Sequence, residues 1–186
     1  VATLAAELEW WHLLLAPAAG GLVVGLILKY LTPGGNAEGV AQVIEAGSLR
    51  GSKLTLRRGL AVATVSATSL GAGASAGREG PMVHLGATVA SFVAQKFNFG
   101  PSLALTLLGC GVASAVAASF NAPIAGVFFA LEVVIGHYAL HAFAPIVIAS
   151  VAGTIVSRVQ LGDFPAFVLP DYSITSVSYT HLTLPT

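Results

Sequence analysis

The stretch Gly71-Ala-Gly73-Ala-Ser-Ala-Gly77-Arg78-Glu79-Gly80-Pro81 carries the only formal charges between Gly59 and Gln95, and the reading of that adjacent pair decides the fold. In lipid each charge costs about 2.5–3.5 kcal/mol to insert, so Arg78 and Glu79 need a physical reason to be there. The glycines allow a tight break, and Pro81 favours a helix starting immediately after it. A helix N-terminus at membrane depth presents free N–H groups and the positive end of its dipole, which suits an anion. A carboxylate at the same place, Glu79, can occupy that site and compete with the anion. The plainer alternative is that the two charges neutralise each other in a loop. On charge pattern alone both readings stay open.

Outward from this break the chain keeps the same texture. Hydrophobic residues make up 55% and charged residues 9% of the 186-residue sequence, and the mean hydropathy of +0.85 lies outside the range of soluble domains. A formal net charge of +0 leaves no global field to attract nucleic acid, so any electrostatic function is local. Trp10 to Leu31 is an apolar run with one late charge, Lys29, and is long enough to cross a ~30 Å hydrocarbon core. Within it Gly21 and Gly25 form a small-xxx-small pair suited to close helix packing. After a TPGGN break, Gly39 to Ala46 is short enough to be a partial span. Arg50, Lys53, Arg57 and Arg58 then cluster in one connection, which the positive-inside rule puts on the cytoplasmic side as a solvated basic loop. Gly59 to Gln95 reads as two helices around the break. Pro101 to Phe120, Pro123 to Ile135 and His141 to Val159 complete the set.

No alternating pattern recurs at barrel-strand spacing, so the expectation is all-α: a polytopic membrane helical bundle. Several helices are too short to span, and backbone broken at membrane depth is tolerated where it lines a cavity or is buried in protein. The domain reading is a leading segment at 1–9, a transmembrane domain at 10–160, a loop at 161–175 and a tail at 176–186. That tail (SVSYTHLTLPT) loses the Ala/Gly/Val texture and reads as non-native. Val1 opens the chain with no basic n-region, which argues against a signal peptide and for a start inside a longer protein.

Two soluble-enzyme signatures overlap the break. Gly71-Ala-Gly73-Ala-Ser-Ala76 fits a loose dinucleotide fingerprint, and Gly73-Ala-Ser75-Ala-Gly77 fits a nucleophile elbow. Neither has its context: no acidic ribose partner follows, no strand precedes, and the central region has no triad Asp. The chain is therefore not read as an enzyme, and no cofactor is implied. His137 and His141 have the four-residue spacing of helical metal ligands but lack a third ligand, so no metal site is assigned. Cys110 reads as a small buried residue.

The pairing of GREGP at Gly77 to Pro81 with Phe120-Asn121-Ala122-Pro123-Ile124-Ala125-Gly126, and with Glu132 beyond, resembles the CLC chloride channels and chloride/proton exchangers. The resemblance covers Ala16 to Val159 and implies about one inverted repeat of that fold, with short, broken and tilted helices. It implies transport of chloride or a similar small anion across a lipid bilayer, in the cell (plasma) membrane, by a homodimer whose interface lies near Asn121 to Gly126. Glu79 matches the family's gating glutamate, and Gly77, Arg78, Gly80 and Pro81 match the rest of its anion-binding motif.

Two positions depart from the family pattern. The other first-half motif, GSGIP, falls at Ala37-Glu38-Gly39-Val40-Ala41, where Gly39 is kept, Val40 is conservative, and Glu38 replaces a serine that donates to the anion. A carboxylate there repels chloride unless it is protonated, rotated away or paired with a cation. The fluoride-exporting branch has other residues at both motifs, and neither set is reproduced. The second departure is Val133, at the position where exchangers carry a glutamate for internal proton entry. An alkyl side chain cannot relay a proton, so the resemblance leans toward a channel. A chloride/proton antiporter and a non-conducting assembly or regulatory protein remain as rivals.

Overall fold

The structure, a computed structural model, describes residues 10–32, 38–49, 51–136 and 140–162. Every regular element among them is helical. Helix α1 (Trp10–Leu31) is followed by the short α2 (Val40–Leu49), α3 (Leu56–Gly71), α4 (Glu79–Lys96) and α5 (Pro101–Phe120). Then α6 (Pro123–Phe129) winds on as a π-helical segment over Ala130–Ile135, and α7 (Leu140–Leu161) closes the order. Three of these, within α1, α5 and α7, are long and apolar enough to cross a membrane, while α2 and the α6–π pair are shorter.

The boundaries follow local chemistry. Pro101 and Pro123 each stand at a first helical turn, where the missing N–H costs nothing. Helix α5 ends where Asn121 turns left-handed at φ 53°. Arg158 Nε donates to Asn121 Oδ1 at 2.6 Å, and Arg78 Nη2 donates to Ser119 O at 3.1 Å, so two cations meet the negative end of the α5 dipole. Helix α4 begins at Glu79 rather than at Pro81. Proline in a first turn still forfeits no hydrogen bond, so the earlier start is as cheap as the expected one.

Helix α5 is the centre of the bundle, packed between α4 on one side and α6 and α7 on the other. Small residues make this possible. A Cβ on Gly86 of α4 would run into the carbonyl oxygen of Gly111 on α5, and the reverse holds for Gly111. At the other face a Cβ on Gly126 would sit 2.6 Å from Ala113 O. Such close backbone approach is how membrane helices gain dispersion contact without a hydrophobic driving force. Val43, Val83, Leu108, Val112, Leu131 and Ile146 fill the core between them.

Helix α1 docks on α3 through Gly20, whose Cβ position is taken by Ala72. Gly21 and Gly25, the expected packing pair, have nothing within 4 Å of theirs. A turn of 100° per residue explains the difference, since Gly20 and Gly21 cannot face the same neighbour. The basic connection also differs from a wholly solvated loop: α3 starts at Leu56, which puts Arg57 and Arg58 in its first turn. Arg50, His137, and the segments 1–9 and 163–186, with the tail read as non-native, lie outside the described residues.

Candidate functional site

Two glycines mark the site. Gly39, just before α2, and Gly80, in the first turn of α4, are so close that a Cβ on Gly80 would sit 3.7 Å from the Gly39 Cα. The starts of two helices therefore converge at one point, through backbone that no side chain separates. Each start carries N–H groups without intrahelical partners, so their convergence concentrates positive potential. One of these donors is already used: Gly39 N–H donates to Gln42 Oε1 at 2.7 Å. Val40, the first residue of α2, turns its side chain onto the core.

Glu79 is the first residue of α4 and is exposed, as is the loop from Gly73 to Arg78. Its carboxylate folds back on Gly77 so closely that Oε2 occupies the place a Cβ there would need. Arg78 does not pair with it. The guanidinium goes to Ser119 O instead and lies 5.8 Å over the Phe120 ring. Among the described residues nothing hydrogen-bonds or ion-pairs the Glu79 carboxylate, and mutual neutralisation does not account for the two charges.

Glu38 is handled in the opposite way. Its side chain is only 14% exposed, with Oε1 3.6 Å from Arg58 Nη1 and Oε2 3.1 Å from His84 Nε2. Of the three ways a carboxylate can be tolerated there, the structure shows pairing. Arg58 reaches down from the start of α3, a place where its charge opposes the helix dipole and so needs another reason. His84 comes from α4, four residues after Gly80 and hence on the same face. The sequence reading missed both residues. The available signals were a basic residue at the wrong end of a helix and an uncounted histidine one turn below the motif.

Val133 is not brought to this point. It lies, half-exposed beside the exposed Glu132, in the π-helical segment. That segment meets α2 near Gly47, whose Cβ position is 3.7 Å from Val134 O, about 10 Å along α2 from Val40. The π-helical turn closes with Gly136 N–H donating to Leu131 O at 2.9 Å, and π-bulges recur at functional positions. No cluster of three metal-ligating side chains occurs among the described residues.

The family model described as voltage gated chloride channel matches residues 20–185. A ClcB-like chloride channel protein from Ralstonia nicotianae is 33% identical over 176 residues, covering 92% of this chain and 41% of that protein. Chloride channel protein CLC-e from Arabidopsis thaliana is 34% identical, over 90% of this chain and 24% of that one. A crystal structure of a CLC-type fluoride/proton antiporter superposes with a TM-score of 0.62 at 27% identity, covering 89% of this chain and 45% of the other. The chain thus spans less than half the length of these relatives. With its apolar helices and its two converging helix starts, this integral membrane segment belongs to the voltage-gated chloride channel, or CLC, family.

Proposed function

We propose that the full-length protein conducts a small anion, chloride by default, passively across a membrane, and that Glu79 gates the path. The observation that carries this reading is the Gly39–Gly80 approach, which joins two helix N-termini with the unpinned Glu79 carboxylate one residue away. An anion is stabilised there by backbone dipoles without a full positive charge. Gly77, Arg78, Gly80, Pro81, Glu38, Gly39 and Val40 form the wall of the site, and a protonated Glu79 gives up its claim on it. The protein is a transporter in this reading and not an enzyme. Its membrane is taken to be the plasma membrane. Ile124 and Phe128, exposed one turn apart on α6, supply an apolar face for the homodimer contact near Asn121 to Gly126.

Coupled anion/proton exchange is the second reading, favoured by the likeness to a fluoride/proton antiporter. Val133 argues for the channel, because it offers neither donor nor acceptor to a proton. The non-conducting alternative draws on Glu38 in place of the family's serine, and its pairing with Arg58 and His84 speaks against that alternative. Chloride flux from liposomes carrying the full-length protein, measured across pH for the parent and Glu79→Gln, tests the leading reading. Flux with weakened pH dependence in the variant supports it, and unchanged dependence contradicts it.

A further inference from the structure

Below the convergence of α2 and α4 three side chains meet, one from the residue before Gly39, one from α3 and one from α4. Glu38 lies 3.6 Å from Arg58 Nη1 and 3.1 Å from His84 Nε2. His84 is fully buried, and neither of its ring nitrogens completes a hydrogen bond among the described residues. Buried polar groups in folded proteins are almost always satisfied, and with Nε2 facing Glu38 at 3.1 Å the ring's Nδ1 is left to take a further partner. A neutral imidazole has one donor and one acceptor, whereas an imidazolium has two donors. In the protonated ring one N–H serves the Glu38 carboxylate and the other is left for an anion or its water.

We propose that Arg58 and His84 belong to the anion site beside Gly39 and Gly80, Arg58 cancelling the charge of Glu38 and His84 taking up one proton together with the anion. This rests on the anion-transport reading above and extends it. With His84 neutral, Glu38 and Arg58 sum to zero and the site relies on helix dipoles alone. With His84 protonated the cluster carries one net positive charge, one helical turn below Gly80. Other charges do not offset it. On α4, Glu79 lies at the helix start and Lys96 at the opposite end, and Arg78 is turned to Ser119 O. Arg57 on α3 and Lys53 before it are exposed, and Glu45 lies two turns along α2. Cys110 of α5 lines a groove with Leu85 and Val89, and Glu132 of the π-helical segment is exposed. Anion and proton then bind with positive linkage, and the linkage is reciprocal: acid strengthens anion binding, and anion binding draws in a proton.

The test uses the full-length protein in detergent, weakly buffered with a pH-indicator dye, in a Glu79→Gln background that removes the Glu79 carboxylate from the site. Adding chloride is expected to draw up to about one proton per anion bound, and chloride affinity to rise by up to about tenfold per pH unit of acidification. His84→Gln abolishes the proton uptake while chloride still binds. Arg58→Gln, at a side chain 36% exposed, changes the site without emptying the core and lowers chloride affinity by about tenfold. Proton uptake in His84→Gln equal to its parent, or unchanged chloride affinity in Arg58→Gln, overturns the proposal. Absence of chloride binding at any pH overturns the anion-site reading and this proposal with it, so the two failures are distinguishable.

Discussion

Two glutamates stand at two helix starts in this chain, each beside a glycine of the same close approach, and they are treated in opposite ways. Glu38 is largely buried and held between Arg58 and His84, whereas Glu79 is exposed and folded back over Gly77 with no cation against it. The contrast separates a held charge from an unheld one. A carboxylate clamped by two partners is a fixed part of the field, because leaving them strands an arginine and a buried histidine. A carboxylate resting on a glycine has no such tie. The same side chain is thus clamped in one place and untied in the other.

The comparison breaks most sharply in stability. Arg58→Glu puts a second carboxylate against Glu38 and the buried His84, and should lower unfolding stability by about 2–4 kcal/mol, allowing for the partial exposure of Arg58. Glu79→Gln should stay within about 0.5 kcal/mol of the parent, as surface changes do. Thermal unfolding of the full-length protein in detergent compares the two. Equal losses would erase the distinction between a clamped and a free glutamate.

A smaller effect sharpens the role of Gly77. The Cβ of Gly77→Ala would occupy the place of Glu79 Oε2, so the carboxylate must leave its rest position. Flux at neutral pH should change by about three- to tenfold, corresponding to roughly 1 kcal/mol of altered gate position. The same substitution in a Glu79→Ala background should change flux by less than about twofold, and the cycle between the four proteins isolates the coupling. Additive effects would show that Gly77 acts on something other than Glu79.

Much of the helical order was legible in the sequence. The bounds expected for Trp10 to Leu31, Pro101 to Phe120 and Pro123 to Ile135 coincide with those observed, because prolines and charges punctuate a membrane chain strongly. The assignment of both Gly39 and Gly80 to anion-binding motifs came from family resemblance and not from composition. What escaped was long-range. Arg58 was read as one of a solvated cluster, since nothing local tells which basic side chain will turn inward. His84 carries no formal charge in a simple count, so a buried imidazole between Glu79 and Lys96 was invisible to a charge map. The packing role of Gly20 over Gly21 and the π-helical winding of Ala130–Ile135 depend on the neighbouring helix, which sequence periodicity does not report.

The smallest expected signal concerns protons. With Val133 in the π-helical segment, proton movement should not keep a fixed ratio to anion movement, and simultaneous chloride and proton flux in liposomes should show a ratio that varies with the imposed gradients. A constant stoichiometry across gradients would assign the protein to the exchangers.

Whether Glu79 is the free gate and Glu38 the fixed charge is decided by chloride efflux from liposomes bearing the full-length protein as parent, Glu79→Gln and Glu38→Gln, across pH. At saturating chloride, where a change in affinity carried by His84 does not register in the flux, Glu79→Gln is expected to lose most of the pH dependence, since a neutral amide no longer competes for the anion, while Glu38→Gln keeps it. Retention of the parent's pH dependence in Glu79→Gln, with its loss in Glu38→Gln, would contradict the account and exchange the two roles.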